Sequence, residues 1–148
     1  MNDNAKPSAG RTKGDVLLEI RGLKIEGESD EVWRPIVKGV DISLKRGEVL
    51  GLIGESGAGK STIGLAAMGY ARAGCRISGG SITFNGMDLL SVSDEQRRKL
   101  RGSCIAYVAQ SAAASFNPAH QLMPQTVEAG LREGLRGKVD AEKDAIEL

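Results

Sequence analysis

The run Gly54-Glu55-Ser56-Gly57-Ala58-Gly59-Lys60-Ser61 limits this 148-residue chain more than any other feature. It fits the pattern G-x-x-x-x-G-K-[ST], a phosphate-binding turn set between a buried strand and a helix. The residue types follow from the task. Phosphate oxygens need several converging donors, which main-chain N–H groups on a tight loop supply. Glycines permit positive φ and let the backbone approach without a Cβ in the way. Lys60 can neutralise β and γ oxygens, and the Ser61 hydroxyl can ligate Mg²⁺. The helix that follows turns the positive end of its dipole toward the anion. A glycine-rich turn with no ligand is the bland alternative. The flanking pattern, apolar run before and helical spacing after, favours the phosphate reading.

Composition narrows the class further. Lys and Arg number 20 against 19 Asp and Glu, a formal charge of +1, which argues against non-specific nucleic-acid binding. The longest apolar stretches, 49–54, 63–71 and 104–109, fall well short of the ~18–20 residues that span a bilayer. Met1 to Asp15 is polar, with no apolar core of a secretory signal. Two cysteines, Cys75 and Cys104, make no disulfide framework and no metal-ligand spacing, so a reducing cytoplasm is the default. The 20 glycines have no period and lie between apolar segments, so they mark turns.

Residues 1–15 read as a mobile polar tail and 16–148 as the folded part. Val16–Ile20 and Leu23–Ile25 predict an early strand interrupted at Gly22, followed by an acidic turn over Glu26–Glu31. Val40, Ile42 and Leu44 alternate with Asp41 and Ser43, the pattern of a strand with one buried face. After a Lys45–Gly47 turn, Glu48–Ile53 reads as a strand covered on both faces. Ile63, Ala66, Ala67 and Tyr70 have helical spacing; Ala71–Gly80 contains a break; Ser81–Phe84 is a strand stopped by the turn pair Asn85-Gly86. Ser93–Gln96 matches a capping box, and Arg97, Arg98, Lys99 and Arg101 read as a solvated helix end closed by Gly102. Ile105–Val108 is a short buried strand, a loop runs from Gln110 to about Pro124, and a helix covers about Thr126–Arg136. A last helix starts with Asp140 as N-cap and carries an apolar face of Ala141, Ala145, Ile146 and Leu148.

The phosphate turn alone does not choose among kinases, GTPases and transport ATPases. Val40–Leu44, Arg46-Gly47-Glu48 and Gly54–Gly57 together resemble the opening of the ATP-binding subunits of ABC transporters, and the resemblance extends from about Leu17 onward. Ser115-Phe116-Asn117-Pro118 and Glu55-Ser56 are similar to the dipeptide, oligopeptide and nickel importer branch; the run Tyr107–His120 points to bacterial peptide importers. The resemblance implies an α/β fold, a P-loop NTPase of ABC type: an antiparallel β subdomain, a strand–helix core and the start of a helical subdomain. It implies ATP and Mg²⁺ as ligands, bound by Gly54, Glu55, Ser56, Gly57, Ala58, Gly59, Lys60, Ser61 and Thr62. Trp33, 21 residues before Gly54, stands where the family stacks an aromatic on adenine; an anchor between two strands is the alternative. Gln110 falls at the family's Q-loop glutamine, a Mg²⁺ contact beside Ser61, the alternative being a polar strand end.

Other family parts do not occur in these 148 residues: no LSGGQ-type signature, no apolar strand ending in Asp-Glu, no D-loop and no switch histidine. His120 reads as a surface loop residue. No catalytic residue is therefore assigned here, Lys60 serving only as a phosphate and transition-state contact, and the chain reads as the leading part of a larger ATPase. The implied partners are permease transmembrane subunits, a second ATP-binding subunit in a homo- or heterodimer and, indirectly, a substrate-binding protein, with no nucleic acid. The implied location is the inner face of the bacterial cell membrane. Two other readings stand beside the importer: a nucleotide-binding remnant without catalysis, and a soluble ABC-type ATPase acting on nucleic acid.

Overall fold

Two long strands and a tight turn organise the first half of the chain. In the computed structural model, which describes residues 13–57, 59–101, 103–111, 116–132, 134 and 137–147, β1 (Val16–Ser29) and β2 (Val32–Lys45) form one antiparallel hairpin. Its turn is Asp30-Glu31, with φ of 52° and 61°, the left-handed pair that suits the twist of a two-residue hairpin. The acidic stretch Glu26–Ser29, expected to be turn, is strand. β1 is a central strand, and the ladders on both sides hold residues of poor strand propensity in place.

The sheet order is β2-β1-β3-β4, with β3 Cys75–Phe84 and β4 Met87–Asp88. β3 starts six residues before the expected Ser81. Its early part looks like loop because of Gly79-Gly80, which serve a close approach. A Cβ at Gly80 (φ 93°) would lie 2.6 Å from the carbonyl oxygens of both Arg21 and Gly22, where the β1–β3 register shifts. Gly22 (φ 56°) donates its N–H to Asp41 Oδ1 at 2.6 Å across that irregularity. Asn85-Gly86 (φ 53° and 83°) makes the expected turn into β4. Ile20, Leu23, Ile25, Val37 and Ile82 are buried and form the sheet's core face.

Helix α1 (Lys60–Ala66) adds Ile63, Leu65 and Ala66 to the buried set, whereas Tyr70, placed on the helical face by its spacing, is 43% exposed. Helix α2 (Asp94–Leu100) begins with the predicted box: Ser93 N–H donates to Gln96 Oε1 at 3.0 Å and Gln96 N–H to Ser93 Oγ at 3.3 Å. Arg97 is not a solvated end residue. Its guanidinium donates to the Leu89 carbonyl at 2.9 Å and pairs with Asp94, tying the helix start to the segment after β4. Arg98 and Lys99 are exposed as predicted, and Gly102 lies outside the described residues.

Two expected strands do not form. Residues 48–53 have no strand partner among the described residues, with Val49 96% and Ile53 100% exposed. A largely apolar strand is stable only with neighbours at its edges and layers on its faces; here no strand pairs with it and Val49 and Ile53 are left uncovered. Ile105–Val108 is reduced to one parallel bridge, Arg101 to Ile105, with Tyr107 and Val108 exposed, for the same reason.

The chain divides into two compact units, one up to Arg97 and one from Arg98. In the second, α3 (Leu122–Arg132) starts four residues before the expected Thr126, with Pro124 in its first turn, where a missing N–H costs nothing. Helix α4 (Lys138–Glu147) packs on it, and Val127 of α3 and Ala141 of α4 are buried. Its first helical bond runs from Ala141 N–H to Gly137 O at 2.9 Å, so Asp140 sits in the first turn instead of capping it. Ala145 is half-buried and Ile146 is 74% exposed, so the expected apolar face is only partly used. Gly14 and Asp15, placed in the polar tail, hydrogen-bond to Arg46 at the end of β2. Residues 1–12, Arg136 and Leu148 lie outside the described residues.

Candidate functional site

The glycine turn before α1 is seated against β2. Gly59, buried and left-handed at φ 83°, is the N-cap of α1. A Cβ there would meet Val37 Cγ2 at 3.2 Å and Ile36 Cγ2 at 3.3 Å, so glycine is required by both dihedral and packing. Ile63 N–H donates to Gly59 O at 2.9 Å, which starts the helix directly after the turn. Gly57 also has a positive φ, 81°, and a Cβ built on it meets nothing within 4 Å. The loop is thus seated at its Gly59 end and open at its Gly57 end.

Lys60 folds back over the loop that precedes it. Its Nζ donates to the carbonyls of Gly54 at 2.7 Å and Glu55 at 2.5 Å. The ammonium therefore spans the turn, a place from which it can exchange neutral carbonyls for anionic oxygens. Charge-assisted bonds to anions are about twice as strong as bonds to neutral acceptors, so the exchange favours a phosphate. Gly54, Glu55, Ser56 and Ser61 are exposed, Thr62 is half-buried, and Ala58 lies outside the described residues. Open glycine backbone, a cation across the loop and an exposed hydroxyl in the first helical turn together suit a Mg²⁺-bound polyphosphate.

Trp33 belongs to the same unit and the same strand, three residues before Ile36. It is half-buried and stands opposite Glu28. The guanidinium carbon of Arg76 lies 4.2 Å from the centre of its indole. Arg76 is itself paired with Glu26 at 2.8 Å. Neither Arg76 nor Glu26 stood out in the sequence. The signal was their cross-strand pairing, which is legible only once β3 is known to begin at Cys75.

Gln110 lies in the second unit, exposed, after residues 106–109, which belong to no helix or strand. In the Ser-Phe-Asn-Pro stretch, Ser115 lies outside the described residues, and Asn117 builds a turn by accepting the Ala119 N–H at Oδ1, 3.0 Å away. Gln125, another residue that sequence reasoning missed, locks that turn to α3. Its Oε1 accepts the Asn117 N–H at 2.8 Å, and its Nε2 donates to the carbonyls of Asn117, His120 and Gln121 at 3.1–3.2 Å. Among the described residues no cluster of three or more His, Cys, Asp or Glu could hold a metal, and no helix is long and apolar enough to cross a membrane.

The sequence model of the ABC transporter family matches residues 37–146, from the hairpin through the phosphate turn to α4. The chain belongs to the ABC transporter family. The P-loop α/β class expected from the sequence follows, with the antiparallel sheet and helices described above. Among curated relatives, the chain is 34% identical over 137 residues to a probable peptide ABC transporter ATP-binding protein, y4tR, of Sinorhizobium fredii, covering 92% of this chain and 41% of the relative. It is 37% identical over 112 residues to the peptide transport system ATP-binding protein SapD of Salmonella typhimurium, covering 76% and 34%. It is 31% identical over 146 residues to the oligopeptide transport ATP-binding protein OppD of Escherichia coli, covering 99% and 43%. The chain thus spans less than half the length of these relatives.

Proposed function

We propose that residues 16–148 are the leading part of an ATP-binding domain from an ABC importer, the importer coupling ATP hydrolysis to peptide transport. One observation carries the ligand: Lys60 drawn across a loop of left-handed glycines at the start of α1. In this reading the backbone of Gly54–Lys60 holds the phosphates, with Ser61 and Thr62 at their edge. Lys60 neutralises the terminal oxygens, Trp33 stacks on adenine, and the Ser61 hydroxyl would supply an oxygen ligand for Mg²⁺. When bound, the cation would screen phosphate charge. The chain's own residues bind and orient the triphosphate. The 148-residue sequence contains no apolar run followed by Asp-Glu, the pair that would position the attacking water.

Peptide as the cargo class rests on the named relatives and on the Ser-Phe-Asn-Pro resemblance. The assembly would include permease subunits, a second ATP-binding subunit and, indirectly, a binding protein, at the cytoplasmic face of the membrane. The absence of an Asp-Glu strand favours a second reading for the 148 residues taken alone, nucleotide binding without turnover. Two measurements separate these claims. Uptake of labelled dipeptides should fall in cells whose genomic copy carries Lys60→Ala, and unchanged uptake of every peptide tried contradicts the cargo. The purified 148-residue chain should hydrolyse Mg·ATP no faster than its Lys60→Ala variant, and lysine-dependent turnover contradicts the non-catalytic reading.

A further inference from the structure

We propose that Arg76 and Glu26 hold Trp33 as a preset stacking surface for the nucleotide base, Arg76 acting as a positioning residue; this rests on the nucleotide-binding reading above. The placement begins in the ladders. On β1, Glu26 stands opposite Arg76 of β3, and Glu28 stands opposite Trp33 of β2. Glu26 and Glu28 are two residues apart, so they share one face of the sheet. Three strands thereby bring an acid, a cation and an indole onto that face, close to the hairpin turn.

The side chains complete the arrangement. Arg76 directs Nη2 and Nε at the same Glu26 oxygen, at 2.8 and 2.9 Å, which fixes the plane of the guanidinium. That plate lies over the indole, 4.2 Å from ring centre to guanidinium carbon. Glu26 is 27% exposed at its side chain and Arg76 53%, so the acid is the more sheltered anchor of the pair. A surface ion pair alone contributes little to stability. Coupled to the ring, it restrains an indole that would otherwise sample several rotamers. A base that stacks on a restrained ring orders less on binding, and preorganisation of this kind appears as affinity.

Trp33 is the sole tryptophan, so its emission reports on this contact alone. The test uses the full chain, with Mg·ATP and inorganic tripolyphosphate as separate ligands; tripolyphosphate engages the phosphate turn without a base. Arg76→Ala should raise acrylamide quenching of Trp33 before any ligand is added. It should also weaken Mg·ATP binding about two- to fivefold, the range of an exposed cation–π contact, and leave tripolyphosphate binding unchanged. Arg76→Lys, which keeps the charge, should recover part of the loss, and Glu26→Gln should move both readouts in the same direction as Arg76→Ala. Unchanged or tighter ATP binding by Arg76→Ala overturns the proposal. So does an equal loss of ATP and tripolyphosphate binding, which would place Arg76 in the fold and not at the base. A wild-type chain that binds neither ligand contradicts the nucleotide reading itself, and the proposal falls with it.

Discussion

Three glycines of the first unit separate dihedral need from packing need. Gly59 is left-handed and touches Val37 and Ile36, so Gly59→Ala should lower the unfolding free energy by about 1–3 kcal/mol. Gly80 is more confined, since its Cβ would press on two backbone carbonyls at 2.6 Å that cannot rotate away. Gly80→Ala should cost more than Gly59→Ala. Gly64, inside α1 with nothing within 4 Å of its Cβ position, should respond oppositely, with alanine stabilising by about 0.5–1 kcal/mol. Urea unfolding of the three variants checks the order. Equal effects at all three would mean that the left-handed turn and the β1–β3 approach do not constrain the fold.

At the scale of elements, the entry to α3 depends on one side chain. Gln125 ties together Asn117, His120 and Gln121 through both its oxygen and its nitrogen. Gln125→Ala removes four bonds at once, yet the groups released are exposed and can turn to water, so the cost should stay near 1–2 kcal/mol. Amide hydrogen exchange should quicken at Asn117, whose N–H loses its acceptor, while the α3–α4 contact at Val127 keeps its protection. Unaltered exchange at Asn117 would show that the turn holds without Gln125. Elements of this kind differ in how far the sequence discloses them. The capping box at Ser93, the Asn85-Gly86 turn, the alternation over Val40–Leu44 and the phosphate turn are set by neighbours in sequence, and all were legible. The strand identity of Glu26–Ser29 and Cys75–Gly80 depends on pairing across β1, and the glycines that permit that pairing resemble loop. Glu48–Ile53 shows the converse. Its pattern fits a buried strand, but burial requires neighbours that are not present among the described residues. Of the candidate site, the glycine turn leading into α1 at Lys60 was legible, whereas Arg76 over Trp33 was not, because only the tertiary register brings them together.

For the molecule as a whole, the two units differ in what holds them. The first buries Ile20, Leu23, Ile25 and Ile82 almost completely, while the buried hydrophobics of the second are Val127 and Ala141 among the described residues. Local stability follows buried apolar contact. Amides of Ile20–Ile25 and Ile82 should therefore exchange through the highest opening free energy in the chain, and those of α3 and α4 through a much lower one. A single common opening free energy across both units would show that they unfold together. The first unit also contains the proposed nucleotide turn. Calorimetric titration of the chain with Mg·ATP tests it most directly. Binding should be measurable and should weaken at least about tenfold in Lys60→Ala, the loss expected when one charge-assisted contact to phosphate is removed. Equal affinity in the two proteins, or no binding by the unaltered chain, would contradict the assignment of the Gly54–Ser61 turn as a nucleotide site.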